Sequence, residues 1–144
     1  MAKNKLLLKV ITPTRTLLEE ECEAVYSTAI DGEFGVLPGH LPMTTTLGVG
    51  YTKYVKDGEE HYLTTLGGIF QIEHNNVTIL SDSAELGEEI DVALANEEKQ
   101  KAEALLAEHL ADEANMTVAQ ISLAKALARL KVAVKTGKTT NKYM

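Results

Sequence analysis

Residues 77–106 read VTILSDSAELGEEIDVALANEEKQKAEALL, and the hydrophobic period changes inside this stretch. Residues 77–80 are a short β-branched run of the kind that forms a strand. Beyond Gly87, Ala95, Ala102, Leu105, Leu106 and Leu110 recur at roughly helical spacing. Asp91 stands where a helix cap belongs, so a helix is expected from there to about Ala111. A chain that switches once from a period of two to one near 3.6 is a β-domain followed by helices.

Upstream, the β pattern continues back to the start. Leu6, Leu8 and Val10 alternate with Leu7, Lys9 and Ile11, a strand covered on at least one face. Residues 22–30 are small and β-branched, and Val49, Tyr51 and Val55 mark another strand. Asp57-Gly58 is a hairpin turn into residues 60–66, and a further pair, 68–73 and 77–80, is expected to join across Asn75-Asn76. Short strands closed by regular turn signals indicate a sandwich or flattened barrel over residues 1–86.

Downstream, residues 111–116 interrupt the helical pattern. Thr117-Val118-Ala119-Gln120 matches a capping box, and Leu123, Leu127, Leu130 and Val134 form an apolar stripe that Gly137 would end. Residues 87–144 are therefore expected to make a two-helix hairpin with a basic tail. Its first helix carries Glu97, Glu98, Glu103 and Glu108; its second is basic and Ala-rich. Exposed ion pairs contribute only about 0–1 kcal/mol each, so charge alone would hold such a hairpin loosely.

The formal charge of −7 argues against nucleic-acid binding. No Asp or Glu follows Glu113, whereas Lys125, Arg129, Lys131, Lys135, Lys138 and Lys142 do. An interaction tail and two mutually neutralising pieces both fit that asymmetry. The apolar run of residues 6–8 is too short for a signal peptide or a membrane span, so direct membrane insertion is not expected. The single Cys22 suits a reducing compartment.

Catalytic chemistry is not evident. His40, His61, His74 and His109 are scattered without metal-ligand spacing, and no nucleophile motif surrounds Cys22. Residues 135–139, KTGKT, imitate the end of a phosphate-binding loop, but Val132 stands where its first glycine belongs and a helix precedes it.

Residues 31–42, DGEFGVLPGHLP, hold three glycines and two prolines, which fix an unusual chain path. The plain reading is a tight corner between strands. The sharper one is a docking surface presenting Glu33 and His40 on a stiff frame.

Here the chain resembles the epsilon subunits of F-type ATP synthases. Their pattern G-E-x-G-x-x-P-G-H-x-P is met at Gly32, Glu33, Gly35, Pro38, Gly39, His40 and Pro42. Further matching blocks are residues 67–70 with 77–85, residues 90–92 opening an Ala/Glu/Lys-rich helix, and residues 124–130. Together they span about residues 5–134.

The resemblance implies an α+β fold, an antiparallel β-sandwich followed by a two-helix hairpin, in a non-catalytic central-stalk subunit. It implies that the sandwich docks on the gamma subunit and on polar loops of the c-ring. Glu33 would then face the c-ring loops, and Pro38, Gly39, His40 and Pro42 would lie near both contacts. It also implies a hairpin that extends into the catalytic alpha and beta subunits and restrains ATP hydrolysis; Lys125, Arg129, Lys131 and Lys135 are the expected contacts with acidic segments there. The subunit would lie on the cytoplasmic face of a bacterial inner membrane, or on the stromal face of a plastid thylakoid. Some family members bind ATP through Ile/Leu-Asp-x-x-Arg-Ala. This chain has Ile90-Asp91-Val92-Ala93-Leu94-Ala95, and a leucine cannot replace the arginine fork. Glu85, Asp91, Lys125 and Arg129 remain weak nucleotide candidates, and no bound cofactor is expected.

Three other functions fit parts of the pattern: a nucleotide sensor using the hairpin as a clamp, a small enzyme pairing Glu33 with His40, and an adaptor whose hairpin binds some other acidic complex.

Overall fold

The computed structural model describes residues 4–108 and 113–137. The chain divides after Leu86 into two compact units. The first holds strands β1 (Leu6–Ile11), β2 (Thr16–Cys22), β3 (Ala24–Ala29), β4 (Gly32–Val36), β5 (Met43–Lys56), β6 (Glu59–Glu73), β7 (Asn76–Leu80) and β8 (Ala84–Leu86). Their order is β2-β1-β7-β6-β5-β3-β4, with β8 also on β6.

The hairpin of β5 and β6 organises the sandwich. β6 pairs with β5 along almost its whole length, and also with β8 through its first half and β7 through its second. One hairpin thus serves both layers. Asp57 and Gly58 close it with φ of 52° and 80°, the left-handed pair that a two-residue hairpin turn needs. β1 joins β7 in parallel, and the other ladders are antiparallel.

Alternation sends Leu6, Leu8 and Val10 of β1, Phe70 and Ile72 of β6, and Val77 and Ile79 of β7 into one core with Val25, Val36 and Leu63. Phe34, on the terminal strand β4, meets Phe70 edge to face with centroids 4.8 Å apart. That contact closes the two layers on each other. A polar seam also crosses the interior: Ser27 Oγ lies 2.6 Å from Thr52 Oγ1, which lies 3.1 Å from Thr65 Oγ1. All three side chains are buried, and their mutual hydrogen bonds offset the cost of desolvation.

Three expectations for the sandwich change. Residues 60–66 and 68–73 belong to one strand, because β5 pairs on either side of Gly67 and Gly68. Those glycines let the strand bend without breaking: Gly68 has φ of 125°, and a Cβ there would lie 2.1 Å from the Leu80 carbonyl oxygen. The β6–β7 turn is His74-Asn75, with φ of 51° and 62°, one residue earlier than Asn75-Asn76. Residues 32–36 are strand rather than turn, so only residues 37–42 form the corner. β2, for which the sequence carried no stated signal, is a strand despite Glu19-Glu20-Glu21, because Leu17 and Leu18 pack against the core while the acids line a terminal strand.

In the second unit a single 3-10 turn, Gly87–Glu89, precedes α1 (Val92–Glu108) and α2 (Glu113–Lys135). Asp91 caps α1 as expected: its Oδ1 accepts the Leu94 amide at 3.0 Å. α2 starts at Glu113, so the Thr117 box lies inside the helix. Nothing in Glu113-Ala114-Asn115-Met116 stops a helix from propagating back past it. The buried positions are Ala95 and Ala102 on α1, and Ala119, Ala126, Ala128, Leu130, Val132 and Ala133 on α2. Ala119, Ala126 and Ala133 repeat every seventh residue, as a pair of closely approaching helices requires. The expected leucine stripe is rotated off this seam: Leu130 is buried, Leu123 and Val134 are half-buried, and Leu127 is 36% exposed. On α1, Leu105 is exposed, Leu106 half-buried, and Leu110 lies outside the described residues.

Candidate docking surface

Residues 37–42 form a braced corner. The His40 amide donates to the Leu37 carbonyl at 3.1 Å, closing a turn. The ring Nδ1 lies 2.6 Å from the Leu41 carbonyl oxygen, a partner that requires the proton on Nδ1. The Gly39 amide donates to Asn75 Oδ1 at 2.8 Å, tying the corner to the β6–β7 turn. A shallow concavity bounded by Gly39, His40, Pro42, His74 and Asn75 results, and Leu41 stands 78% exposed beside it.

Glu33 lies elsewhere. It is exposed on β4, opposite Thr28 of β3, and lines a separate cleft with Tyr26, Tyr51 and Lys53. No hydrogen bond or ion pair joins it to His40, so the acid–base pairing of those two has no geometric basis. Cys22 is no better a nucleophile: burial, then the charge of Glu23, pushes its thiol up to about 11. Among the described residues there is no group of three or more His, Cys, Asp or Glu that could hold a metal ion.

The structure adds a feature that sequence reasoning missed. On the outer face of the β1, β7 and β6 strands, Ile11 of β1 pairs with Leu80 of β7, and Leu80 with Ile69 of β6. Leu80 is 49% and Ile69 47% exposed, so an apolar row crosses three adjacent strands in water. Thr46 continues the row on β5, and its carbonyl accepts the amide of exposed Ile30 at 3.2 Å. The available signal was Ile11, Ile69 and Leu80 themselves, apolar at positions whose neighbours already fill the core.

In the helical unit the four expected basic contacts do not share one stripe. Lys125–Arg129 and Lys131–Lys135 are two i,i+4 pairs about 120° apart around the helix. Arg129 Nη1 lies 3.5 Å from Glu98 Oε2 on α1, while Lys131 and Lys135 are exposed. Of the nucleotide candidates, Glu85 belongs to the sandwich, where its amide donates to Thr64 Oγ1 at 2.9 Å. Asp91 is the helix cap, Lys125 is half-buried, and Leu94 projects into solvent.

A β-sandwich followed by a two-helix unit is a two-part architecture that a known protein family shares. Two family models agree: the ATP synthase Delta/Epsilon chain beta-sandwich domain matches residues 5–87, and the Delta/Epsilon chain long alpha-helix domain matches residues 88–133. The ATP synthase epsilon chain of Geotalea daltonii is 37% identical over 134 residues, 93% of this chain and 97% of that one. That of Dehalococcoides mccartyi is 39% identical over 131 residues, 91% and 94% of the two chains. The chain belongs to the ATP synthase epsilon chain family, a non-catalytic subunit of the rotary enzyme's central stalk. The same fold occurs in a chain of the Euglena gracilis mitochondrial ATP synthase, with a TM-score of 0.79, 24% identity, and coverage of 91% of this chain and 82% of that one. Among the described residues no helix is long and apolar enough to cross a membrane.

Proposed function

We propose that this chain couples the gamma subunit to the c-ring through its sandwich, and restrains ATP hydrolysis through its helices. The exposed apolar row Ile11–Leu80–Ile69 carries the docking half of this reading. Such a row on a sheet face is a liability in water and an asset against a partner. The braced corner at Pro38, Gly39, His40 and Pro42 and the unpaired Glu33 supply polar contacts, the corner toward gamma and Glu33 toward the c-ring loops. The assemblies that contain the structural neighbours support it: an F1/c-ring complex in Euglena gracilis, and a central stalk with its c-ring in Tetrahymena thermophila, whose matching chain has a TM-score of 0.60 at 11% identity and is covered to 99%, across 92% of this chain. Held by these partners, the protein sits peripherally at the membrane, beside the catalytic head.

The braking half rests on the alanine seam. Alanines bury little area each, so the two helices part at modest cost. On release, Lys125, Arg129, Lys131 and Lys135 meet acidic segments of the catalytic subunits. Two faces of positive charge suit a helix inserted between two partners better than one lying on a single surface. ATP binds weakly or not at all, because Leu94 replaces the phosphate-binding arginine and Asp91 already serves the helix cap. Binding of the purified chain to gamma tests the docking half. Ile69→Asp and Leu80→Asp should each weaken it roughly hundredfold with little change in melting; unchanged affinity in both would overturn it.

A further inference from the structure

The fold brings together two of the histidines that the sequence scatters. His40 in the corner and His74 in the β6–β7 turn both line the concavity formed with Gly39, Leu41, Pro42 and Asn75. His40 is half-buried and His74 exposed. The 2.8 Å hydrogen bond from the Gly39 amide to Asn75 Oδ1 ties the two turns, so both imidazoles are mounted on one frame. His74 also holds φ of 51°, the left-handed region that a β-carbon disfavours. Glycine or asparagine would meet that turn at less cost.

Each ring has an oxygen on its Nδ1 side. Nδ1 of His40 lies 2.6 Å from the Leu41 carbonyl oxygen, and Nδ1 of His74 lies 3.6 Å from Glu73 Oε1. Carbonyl and carboxylate partners of this kind orient the histidines of metal sites: they hold the proton on Nδ1, so the lone pair of the neutral ring is on Nε2. No lysine or arginine lines the concavity, and the Glu73 carboxylate adds negative charge beside it. Two imidazole donors thus share one wall system with no fixed cation to oppose a bound one. Cys22 does not compete for a metal, because its buried thiol, pushed up to about 11, keeps the proton that a ligand must lose.

We infer that His40 and His74 together bind one divalent cation of the borderline class, zinc(II) or copper(II), through their Nε2 atoms, with water completing the coordination. Imidazoles suit these ions, whereas magnesium and calcium require oxygen ligands. A structural zinc is closed by four protein ligands, so a pair makes an exchangeable site. That agrees with the lack of any larger group of His, Cys, Asp or Glu suited to a metal among the described residues. The inference is independent of gamma docking, because the ion is bound by the chain alone.

The test uses the untagged, isotope-labelled full chain, titrated with zinc chloride and separately with magnesium chloride while backbone amide resonances are followed. Saturable shifts confined to residues 39–42 and 73–76 are expected with zinc, and none with magnesium. His40→Asn keeps a donor for the Leu41 carbonyl, and His74→Asn keeps the left-handed turn, so both variants should retain the wild-type spectrum elsewhere. Each should raise the dissociation constant for zinc at least roughly tenfold. Copper(II) bound to the wild-type chain should show two imidazole nitrogens in pulsed EPR, and one in either variant. A response to magnesium equal to that with zinc, shifts at His61 or spread over the surface, undiminished affinity in either variant, or a single imidazole on copper in the wild-type chain would each overturn the inference.

Discussion

Arg129 Nη1 lies 3.5 Å from Glu98 Oε2, joining α2 to α1 across the alanine seam. This ion pair uses one of the four cations assigned to the extended state, so opening the hairpin must break it. Both side chains are partly exposed, which limits its worth to about 0.2–1 kcal/mol. A double-mutant cycle with Glu98→Gln and Arg129→Gln, read by hydrogen exchange in α2, should return a coupling in that range. A coupling several times larger would mean that the pair itself latches the hairpin.

The seam is the stronger constraint. Ala126 is buried and has Ala119 and Ala133 in heptad register, so a larger side chain there forces the helices apart. Ala126→Leu should destabilise the helical unit by about 1–3 kcal/mol, leave the sandwich unfolding as in wild type, and increase inhibition of hydrolysis by favouring the open form. Exchange rates in α1 and α2 alongside ATPase assays measure both effects.

Docking through the apolar row predicts a separation of binding from stability. Ile69→Asp or Leu80→Asp should weaken gamma binding roughly hundredfold, about 3 kcal/mol, with little change in melting. Phe70→Ala, one residue away in sequence but fully buried against Phe34, should instead cost about 3–5 kcal/mol of sandwich stability. Calorimetric titration and thermal melts distinguish the two classes.

Cys22 gives a pH prediction. Its thiol ionises near the ordinary 9.0 when the chain is unfolded and at about 11 when folded. The folded form keeps its proton where the unfolded form loses it. Its contribution is therefore complete below pH 9 and falls as pH rises from 9 to 11, by up to about 3 kcal/mol. Denaturant unfolding across that range should show a steeper slope in wild type than in Cys22→Val, whose remaining slope comes from Tyr51, Tyr62, Lys53 and Lys56, all of which are also raised.

Nucleotide affinity follows from Leu94. Calorimetry should find a dissociation constant for ATP no tighter than about millimolar, and Leu94→Arg should tighten it. Tight binding by the wild-type chain would contradict the assignment of Asp91 to the helix cap alone.

The architecture was legible in sequence wherever pattern and burial coincide. The alternating strands β1 and β7, the Asp57-Gly58 turn and the Asp91 cap are all local signals. Three features were not. Thr52 of β5 and Thr65 of β6 are fully buried while Val49 and Tyr51 of β5 are not, so the middle of this hairpin reads with its polarity reversed. The helix seam falls on alanines, which a search for leucines passes over. The apolar row and the tyrosine cleft assemble residues from three or four strands, and no segment of sequence holds them together. Glu33 and His40 were singled out from one motif, yet the fold places them on different concavities.

The central claim, that the helices restrain hydrolysis while the sandwich docks, is tested most directly by ATP hydrolysis in a catalytic head of alpha, beta and gamma subunits. The head is titrated with the full chain and with a chain ending at Leu86. The account predicts saturable inhibition by the full chain, and binding without inhibition by the shorter one. Equal inhibition by both, or a full chain that binds and leaves the rate unchanged, would contradict it.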